Sequence, residues 1–388
     1  YGVMVYQEDV IKVAHYFGGL SLGEADMLRR GMSGKFRSKE AFLKVQQQFF
    51  DNCKEKGHSL ELTTEIWRQI ESFAGYAFAK GHSASYAVES YQSLFLKAYY
   101  PLEYMVATLN NFGGFYQPEY YVHEARMNGA IIHPPNINKA HYQNCIEGKN
   151  IYLGFIMLHS FELKNAQKIV EERARNGLFL DLDDFIDRVA ISLEQLAVLI
   201  KVNAFQFTKR NKRELLWEAH MKVHKVVLEE TISTLFKSEK VTYKTPELTS
   251  ATLEDAFDEL QYIGFTLDSP FKLLKEPIKQ QLFANDLPNY IGKTVTVYGY
   301  YVTAKRTITS KGELMYFGTF IDTEGNHIDT VHFPPSVKKQ PLKGRGVYRL
   351  TGKVTEEFDC VNIEIEQLEK LAIVQDVRYA EPPKIEKE

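Results

Sequence analysis

The segment FAGYAFAKGHSASYA, residues 73–87, places a lysine and a histidine just before a stretch with the apolar spacing of a helix. Ser83 is predicted to be the helix N-cap, because its hydroxyl can accept a hydrogen bond from a free backbone N–H. A helix N-terminus favours an anion, so Lys80 and His82 beside it indicate a phosphate-binding turn. The alternative is a solvated loop before a capped helix. The apolar stripe predicted to be buried comprises Ala84, Tyr86, Ala87, Val88, Tyr91 and Leu94.

A second basic segment, MLRRGMSGKFRSK, covers residues 27–39 and concentrates positive charge at a predicted helix end and in a glycine-containing turn. Guanidinium groups bind phosphate oxygens in a bidentate manner, so Arg29 and Arg30 are candidate phosphate ligands. The alternative is a solvated helix face, which is the usual role of a run of charge on a helix. The remaining cations of this segment are Lys35, Arg37 and Lys39.

The sequence contains none of the short motifs that mark a self-contained active site. HExxH, GxSxG, the Walker-type GxxxxGK and GxGxxG are missing, which leaves hydrolase, ATPase and dinucleotide-binding functions without a motif. The acidic run DLDDF, residues 181–185, resembles a pair of metal-binding carboxylates, but its place before a helical stretch favours a helix N-terminus. We therefore predict neither catalytic residues nor a metal site in this chain.

The composition is typical of a globular chain of two or three domains. Its 388 residues are 44% hydrophobic and 25% charged, with a formal net charge of −3, so any nucleic-acid contact must come from local basic clusters. Neither a membrane span nor a signal peptide is predicted, and the separated Cys53, Cys145 and Cys360 favour neither a zinc site nor a disulfide framework. We expect a cytoplasmic location. Because the sequence begins with Tyr1, we also expect it to be a fragment.

The hydrophobic period changes along the chain and predicts its fold class. Helical spacing dominates up to about residue 230, first in one block and then in a second block of short helices joined by tight turns. A polar stretch at 237–252 is typical of a linker. From Gly292 the period becomes two, and about five short strands predict a small β-barrel. The predicted fold is therefore mainly helical, followed by a small barrel.

Several of these segments, in this order, resemble the α subunit of the C-family replicative polymerases, bacterial DNA polymerase III. GLSLGEADMLRRGM and FAGYAFAKGHSASYAVESYQSLFLKAYYPLEYMVATLN are similar to its fingers domain. LFLDLDDFIDRV, LEQLAVLIKVNAF and NKRELL resemble its tandem helix-hairpin-helix region, and VTVYGYYVTAKRTITSKGELMYFGTFID resembles its OB-fold. The resemblance covers essentially the whole chain.

The resemblance implies five regions and a role in DNA synthesis. The regions are the C-terminal part of the fingers at 1–150, the tandem helix-hairpin-helix region at 151–230, a clamp-binding segment with linker and connecting helices at 231–289, the OB-fold at 290–375 and a tail at 376–388. It also implies that Arg29, Arg30, Lys80 and His82 meet the incoming deoxynucleoside triphosphate. The catalytic aspartates and their Mg²⁺ are expected in a palm domain that precedes this segment, so no cofactor is expected within it.

Basic residues in the later regions are candidate DNA contacts. In the helix-hairpin-helix region they lie near one turn, where they could reach the backbone of the primer–template duplex. In the OB-fold they flank aromatic strand residues, a combination that favours single-stranded template. These residues are Lys201, Lys209, Arg210, Lys212 and Arg213, followed by Lys305, Arg306 and Lys311. The aromatic candidates are Tyr298, Tyr300, Tyr316, Phe317 and Phe320.

The segment TISTLF, residues 231–236, stands where the family carries its sliding-clamp-binding peptide. Such peptides bury a Leu–Phe pair in an apolar groove, so Ile232, Leu235 and Phe236 are predicted to contact the clamp. Other replisome subunits are further expected partners, and a membrane is not. Two alternatives stay open: an error-prone paralogue within the family, or a standalone nucleic-acid-binding module.

Overall fold

The structure is a computed structural model, and it divides into two compact units, Tyr1–Tyr99 and Tyr100–Glu388. The predicted clamp contacts Ile232, Leu235 and Phe236 lie outside the described residues. The described residues are 3–32, 39–73, 79–229, 248–278 and 282–379.

The first unit is helical, and its core is built by the helices before residue 73. Phe49 and Trp67 are almost fully buried at its centre, with their rings 5.1 Å apart. Ser59 begins one helix by accepting a hydrogen bond from the Leu62 N–H at 3.2 Å, as an N-cap serine does. The helices are α1 (Gln7–Lys12), which continues as a π-helical turn (Val13–Phe17), α2 (Leu22–Met32), α3 (Lys39–Glu55), α4 (Leu60–Ser72) and α5 (Lys80–Tyr99).

The structure corrects the prediction for the helix that follows residue 79. The helix begins at Lys80, so Ser83 is an internal residue whose hydroxyl donates to the Ala79 carbonyl at 3.2 Å. No side chain of α5 is buried, and the predicted buried stripe is exposed, for example 75% at Tyr91. The core of this unit is already closed by α1 to α4. Apolar spacing identified the helix but could not identify what it packs against.

The second unit begins with a helical region whose core runs through aromatic side chains. Phe185 lies between Phe179 and Phe205, at ring distances of 5.0 and 5.1 Å. A small sheet of order β1-β3-β2 lies beside the helices, with β1 parallel and β2 antiparallel to β3. The elements are α6 (Pro101–Asn110), α7 (Pro118–Met127), β1 (Ile131–His133), β2 (Cys145–Glu147), β3 (Asn150–Tyr152), α8 (Leu163–Asn176), α9 (Leu182–Arg188), α10 (Leu193–Lys201), α11 (Lys212–Glu229) and α12 (Glu254–Tyr262).

A closed five-stranded β-barrel follows the helices, with strand order β4-β5-β6-β8-β7. The β6–β8 pair is parallel and the other neighbours are antiparallel, an arrangement that fits the five-stranded OB-fold. The predicted fold class is therefore confirmed. No helix in the described part of the chain is long and apolar enough to cross a membrane. The elements are β4 (Thr294–Ile308), β5 (Leu314–Ile321), β6 (His327–His332), α13 (Pro334–Lys339), β7 (Val347–Glu357) and β8 (Cys360–Lys370).

Alternation along the strands separates the aromatic residues of the barrel. Phe320 is fully buried and packs against Tyr348, at a ring distance of 5.7 Å. Tyr300 is 7% exposed, whereas Phe317 points outward and is 47% exposed. Because neighbouring strand residues face opposite sides, most of the aromatic candidates fill or border the barrel. Phe317 therefore remains the exposed ring among them.

The barrel contacts the helical region of its own unit through α7. Glu119 of this helix pairs with Arg345 at 2.5 Å and accepts a hydrogen bond from the Tyr300 hydroxyl at 3.0 Å. His123, one turn further along α7, contacts the Gly325 carbonyl through Nε2 at 2.9 Å. These polar bonds hold one side of the barrel against the helices.

The segments that lead into and out of the barrel are hydrogen-bonded to each other. The Lys275 N–H donates to the Ala372 carbonyl at 3.0 Å, and the Val374 N–H donates to the Leu273 carbonyl at 2.8 Å. These two bonds form a short antiparallel bridge outside the barrel strands. The barrel thus leaves and rejoins the helical region at one place.

We predict that Gly352→Ala destabilises the barrel by roughly 1–3 kcal/mol through overpacking. A Cβ at Gly352 would lie 2.1 Å from the Glu364 carbonyl oxygen on β8, at a bulge where the backbones meet closely. Thermal unfolding of the full chain should show a lower midpoint. The neighbouring, exposed Lys353→Ala adds no atom and should leave the midpoint nearly unchanged. Equal midpoints for the two variants would contradict the close backbone approach.

Candidate nucleic-acid interface

Arg29 and Lys80 converge on the first helix of the first unit. The Arg29 guanidinium donates to the Gln7 side chain at 3.1 Å. The Lys80 backbone N–H donates to the Glu8 carboxylate at 2.8 Å, so an anion lies against the start of α5. Residues about 50 positions apart in the sequence therefore reach adjacent residues of α1. The sequence did not predict these two partners, the Gln7 amide and the Glu8 carboxylate, because nothing in its pattern connects α1 to this turn.

Arg30 and His82 are two further members of the predicted phosphate-binding set, and both are exposed. Arg30 pairs with Asp26 at 2.8 Å, and the same carboxylate accepts from Arg29 at 2.8 Å. The hydrogen bond from Arg29, with the nearby charges, lowers the pKa of Asp26 below its ordinary value. His82 is exposed and stacks with Tyr86 at 6.2 Å. Both guanidinium groups are thus oriented by one carboxylate on an accessible surface.

Four of the five basic residues of the helix-hairpin-helix region have partners within the fold. Arg210 pairs with Glu218 at 2.6 Å. Lys201 donates to the Tyr262 hydroxyl at 3.1 Å, which ties α10 to α12. Arg213 pairs with Glu254 at 2.9 Å, and Lys212 is described below. Most of these basic residues therefore form polar contacts that hold α10, α11 and α12 together.

Lys212 is 6% exposed, and its ammonium is held between two carboxylates of α12. It lies 2.5 Å from Asp255 and 2.6 Å from Asp258. The second carboxylate oxygen of Asp258 accepts from Arg378, which lies in the segment after the barrel, at 2.8 Å. The hydrogen bond from Arg378 also lowers the pKa of Asp376. This network leaves Lys212 no donor that faces solvent, so the structure removes it from the residues that could contact DNA directly.

Lys209 differs from its neighbours because it is exposed in the turn before α11. Its backbone adopts the left-handed conformation, with φ of 57°. Among the ion pairs of the described residues, none involves Lys209. It is the basic residue of this region best placed to reach a phosphate group.

The barrel brings basic and aromatic side chains together on its outer face. Lys305 on β4 is paired in register with Phe317 on β5, so both side chains lie on the same face of the sheet. Both are exposed. Arg306 is paired with Tyr316 on the opposite side of the strand pair, and Lys311 lies in the exposed turn between β4 and β5. The predicted combination of an exposed cation with an exposed ring is therefore found at Lys305 and Phe317, since Tyr316 is only partly exposed beside Arg306.

Phe358 is a further exposed ring that sequence reasoning missed. It is 98% exposed at the two-residue turn between β7 and β8. Phe358 and Asp359 both have positive φ, 52° and 59°, a conformation that usually requires glycine or asparagine. The two alternating runs that flank residues 358–359 were the available signal. In OB-folds this turn and the turn between the first two strands border the ligand face.

The buried histidine inside the barrel has the properties of a structural residue and not of a catalytic one. His332 is 1% exposed, and burial lowers its pKa to about 4, so its imidazole is neutral near pH 7. It contacts the Thr330 hydroxyl at 2.9 Å. Within the described ranges, no group of three or more histidine, cysteine or acidic residues could hold a metal ion.

Comparisons with known proteins agree with these features. The profile "Bacterial DNA polymerase III alpha subunit finger domain" matches residues 1–57, and the profile "Helix-hairpin-helix motif" matches residues 129–215. DNA polymerase III subunit alpha of Aquifex aeolicus is 30% identical over 374 residues, which cover 94% of this chain and 31% of that protein. The same subunit of Staphylococcus aureus is 29% identical, covering 98% and 36%. This chain spans about a third of the length of these relatives.

Similarity to solved structures is much weaker. The S. pombe Stn1–Ten1 complex matches 24% of this chain and 77% of its own chain, with 19% identity and a TM-score of 0.19. A similarity at this level supports no inference about this chain.

We predict that Lys212→Ala and Lys209→Ala differ in their effect on the stability of the fold. Lys212→Ala leaves Asp258 buried without one of its cations and should lower stability by about 3–5 kcal/mol. Lys209→Ala removes an exposed side chain and should change stability by less than about 0.5 kcal/mol. Urea unfolding monitored by circular dichroism measures both. A small effect of Lys212→Ala would show that the buried network does not stabilise the helices.

Proposed function

We propose that this chain, which belongs to the family of bacterial DNA polymerase III alpha subunits, positions the incoming dNTP, the primer–template duplex and the template strand for DNA synthesis. The relatives match nearly the whole chain, which bears out the resemblance drawn from its segments. The whole subunit would extend a primer by phosphoryl transfer. Carboxylates outside the present sequence would hold the Mg²⁺ ions of that reaction, and this chain alone should not extend a primer.

The pairing of Lys305 with Phe317 is the observation that carries the proposal for single-stranded DNA. Base stacking on an exposed ring is tolerant of sequence and contributes about 1–3 kcal/mol per base, while an adjacent ammonium attracts the backbone. Lys311 lies in the turn between the first two barrel strands and Phe358 in the turn between the last two, and both turns border the ligand face of an OB-fold. Three acidic residues flank Phe358 in the sequence, so we assign the electrostatic attraction for DNA to the β4–β5 turn, which carries Lys311. They are Glu356, Glu357 and Asp359.

The nucleotide role rests on the surface shared by α1, α2 and α5. Arg29 and Lys80 reach adjacent residues of α1, and both guanidinium groups of α2 are oriented by Asp26. A triphosphate is polyanionic, so it could replace Glu8 at the start of α5, where a backbone N–H and Lys80 are both available. His82, exposed two residues further on, could add a third donor.

Duplex contact is assigned to the turn before α11. Lys209 is exposed, and Arg210 is partly exposed beside it, so both can reach a backbone phosphate. The sliding clamp is a further proposed partner. That proposal rests on the sequence of residues 231–236 alone, where Leu235 and Phe236 would fill an apolar groove.

We predict that the full chain binds a labelled oligo-dT at low salt and releases it as salt increases. Lys305→Glu with Arg306→Glu should abolish this binding, because it reverses the charge of Lys305 beside Phe317 and of the adjacent, exposed Arg306, so that the backbone phosphates are repelled. Phe317→Ala should weaken binding by roughly 1–3 kcal/mol without changing the charge. Fluorescence anisotropy across a salt titration measures both effects.

The matched control for the charge reversal is Lys149→Glu with Lys164→Glu, two exposed lysines of the helical region. This variant changes net charge equally and should retain binding. Affinity that is absent at low salt, or that survives Lys305→Glu with Arg306→Glu, would assign the barrel a structural or protein-docking role.

For the nucleotide surface, Arg29→Ala or Lys80→Ala in the complete polymerase should lower kcat/KM for dNTP. Loss of a charge-assisted phosphate bond of roughly 1.5–3 kcal/mol corresponds to roughly a 10- to 150-fold decrease. Arg68→Ala is the control, since this arginine is 75% exposed on α4 and pairs only locally with Glu65. Unchanged steady-state kinetics in both test variants would show that Arg29 and Lys80 are solvated surface residues that do not contact the nucleotide.

A further inference from the structure

A concave pocket of about 210 Å³ lies on the barrel where α13, the loop before β7 and the end of β8 meet. Lys339, Lys343 and Lys370 line it, and all three are exposed. Its lining carboxylate, Glu369, is ion-paired with Arg349. In the described part of the chain, no ion pair engages any of the three lysines. The pocket therefore concentrates positive charge that the fold does not neutralise.

Hydrogen bonds fix the shape of this pocket. The hydroxyl of the buried Tyr348 accepts from the Lys343 N–H at 3.1 Å and donates to the Gly344 carbonyl at 2.5 Å. The Lys370 ammonium donates to the Lys343 carbonyl at 3.1 Å, which turns it towards the loop. Gly346 leaves room for this side chain, since a Cβ there would lie 2.5 Å from the Lys370 Cε. The backbone at Lys343 and the side chain of Lys370 are thus held in place by the barrel itself.

The position of α13 links the pocket to the proposed DNA-binding face. Lys338 pairs with Glu313 beside the β4–β5 turn at 2.8 Å, so the helix lies next to the turn that carries Lys311. Lys339 is the following residue of α13 and faces the pocket. A single DNA strand that crosses Lys305 and passes the β4–β5 turn would meet α13 next, and then the pocket.

We propose that the pocket of Lys339, Lys343 and Lys370 binds backbone phosphates of the single-stranded DNA held by the barrel. The inference rests on the proposed single-strand function and extends its path beyond the face formed by β4 and β5. An ammonium group binds phosphate as a compact point charge with three rotatable donors, so three of them around a concavity suit an oxyanion. The pocket contributes affinity without sequence preference, because the ring that lines it, Tyr348, is buried and offers no face for stacking.

The salt dependence of oligo-dT binding by the full chain tests this inference. Each phosphate contact on a single strand adds about 0.7 to the slope of log Kobs against log salt. Replacing all three lysines by glutamine should therefore reduce the steepness of that slope by about 2. The control replaces the exposed Lys54, Lys149 and Lys164 by glutamine, with the same change in net charge and an unchanged slope expected.

A second variant keeps every charge. Gly346→Ala should push the Lys370 side chain out of the pocket and reduce the steepness of the slope by up to about 0.7, the value of one contact. Unchanged far-ultraviolet circular dichroism shows that the variant folds. If only net charge governed binding, this variant would match the wild type and the inference would fail.

The outcomes separate this inference from the function on which it rests. An unchanged slope in the triple variant, with binding still lost in Lys305→Glu with Arg306→Glu, would overturn the pocket and leave the proposed function standing. No oligo-dT binding by the wild type would remove both. Binding of inorganic pyrophosphate that the triple variant loses, with an unchanged slope for DNA, would show a free-anion site and overturn the assignment to the strand.

Discussion

The Asp258 carboxylate, 1% exposed, receives Lys212 from α11 on one oxygen and Arg378 from the segment after the barrel on the other. A buried carboxylate with no cation would be strongly unfavourable, so this contact fixes α11 and the segment after the barrel relative to α12. Lys201 and Arg213 add bonds to the same helix. Ion pairs and charged hydrogen bonds therefore hold the helical region together, in addition to its aromatic core.

The same requirement sorts the basic residues of the chain into two groups. Cations that leave water pair with nearby carboxylates and serve packing, as in α11 and α12. Cations that stay in water form no ion pair among those of the described residues and remain accessible to a ligand, as at Lys209, Lys305 and the pocket of Lys339, Lys343 and Lys370. The proposed binding to DNA would depend on the second group, because the overall charge of the protein is slightly negative and gives no general attraction for a polyanion.

The sequence predicted features that depend on local pattern. Alternation predicted the barrel, and the ordered segments predicted the family. The burial of α5 was not predictable from its spacing, because the apolar surface of a helix does not say which part of the chain covers it. Lys212 could not be recognised as structural, since its partner Asp258 lies 46 residues away. Phe358 was overlooked because an aromatic residue is unusual at a two-residue turn where positive φ is required.

The bridge formed by residues 273–275 and 372–374 gives the barrel the topology of an inserted domain. Its two ends are neighbours, so a short connection across them would close the helical region without stretching the chain. The Arg378 contact lies beyond that joint and belongs to the helices. A lineage could therefore gain, lose or exchange the barrel in a single event while the helical scaffold kept its network of ion pairs, which makes this part of the protein evolutionarily modular.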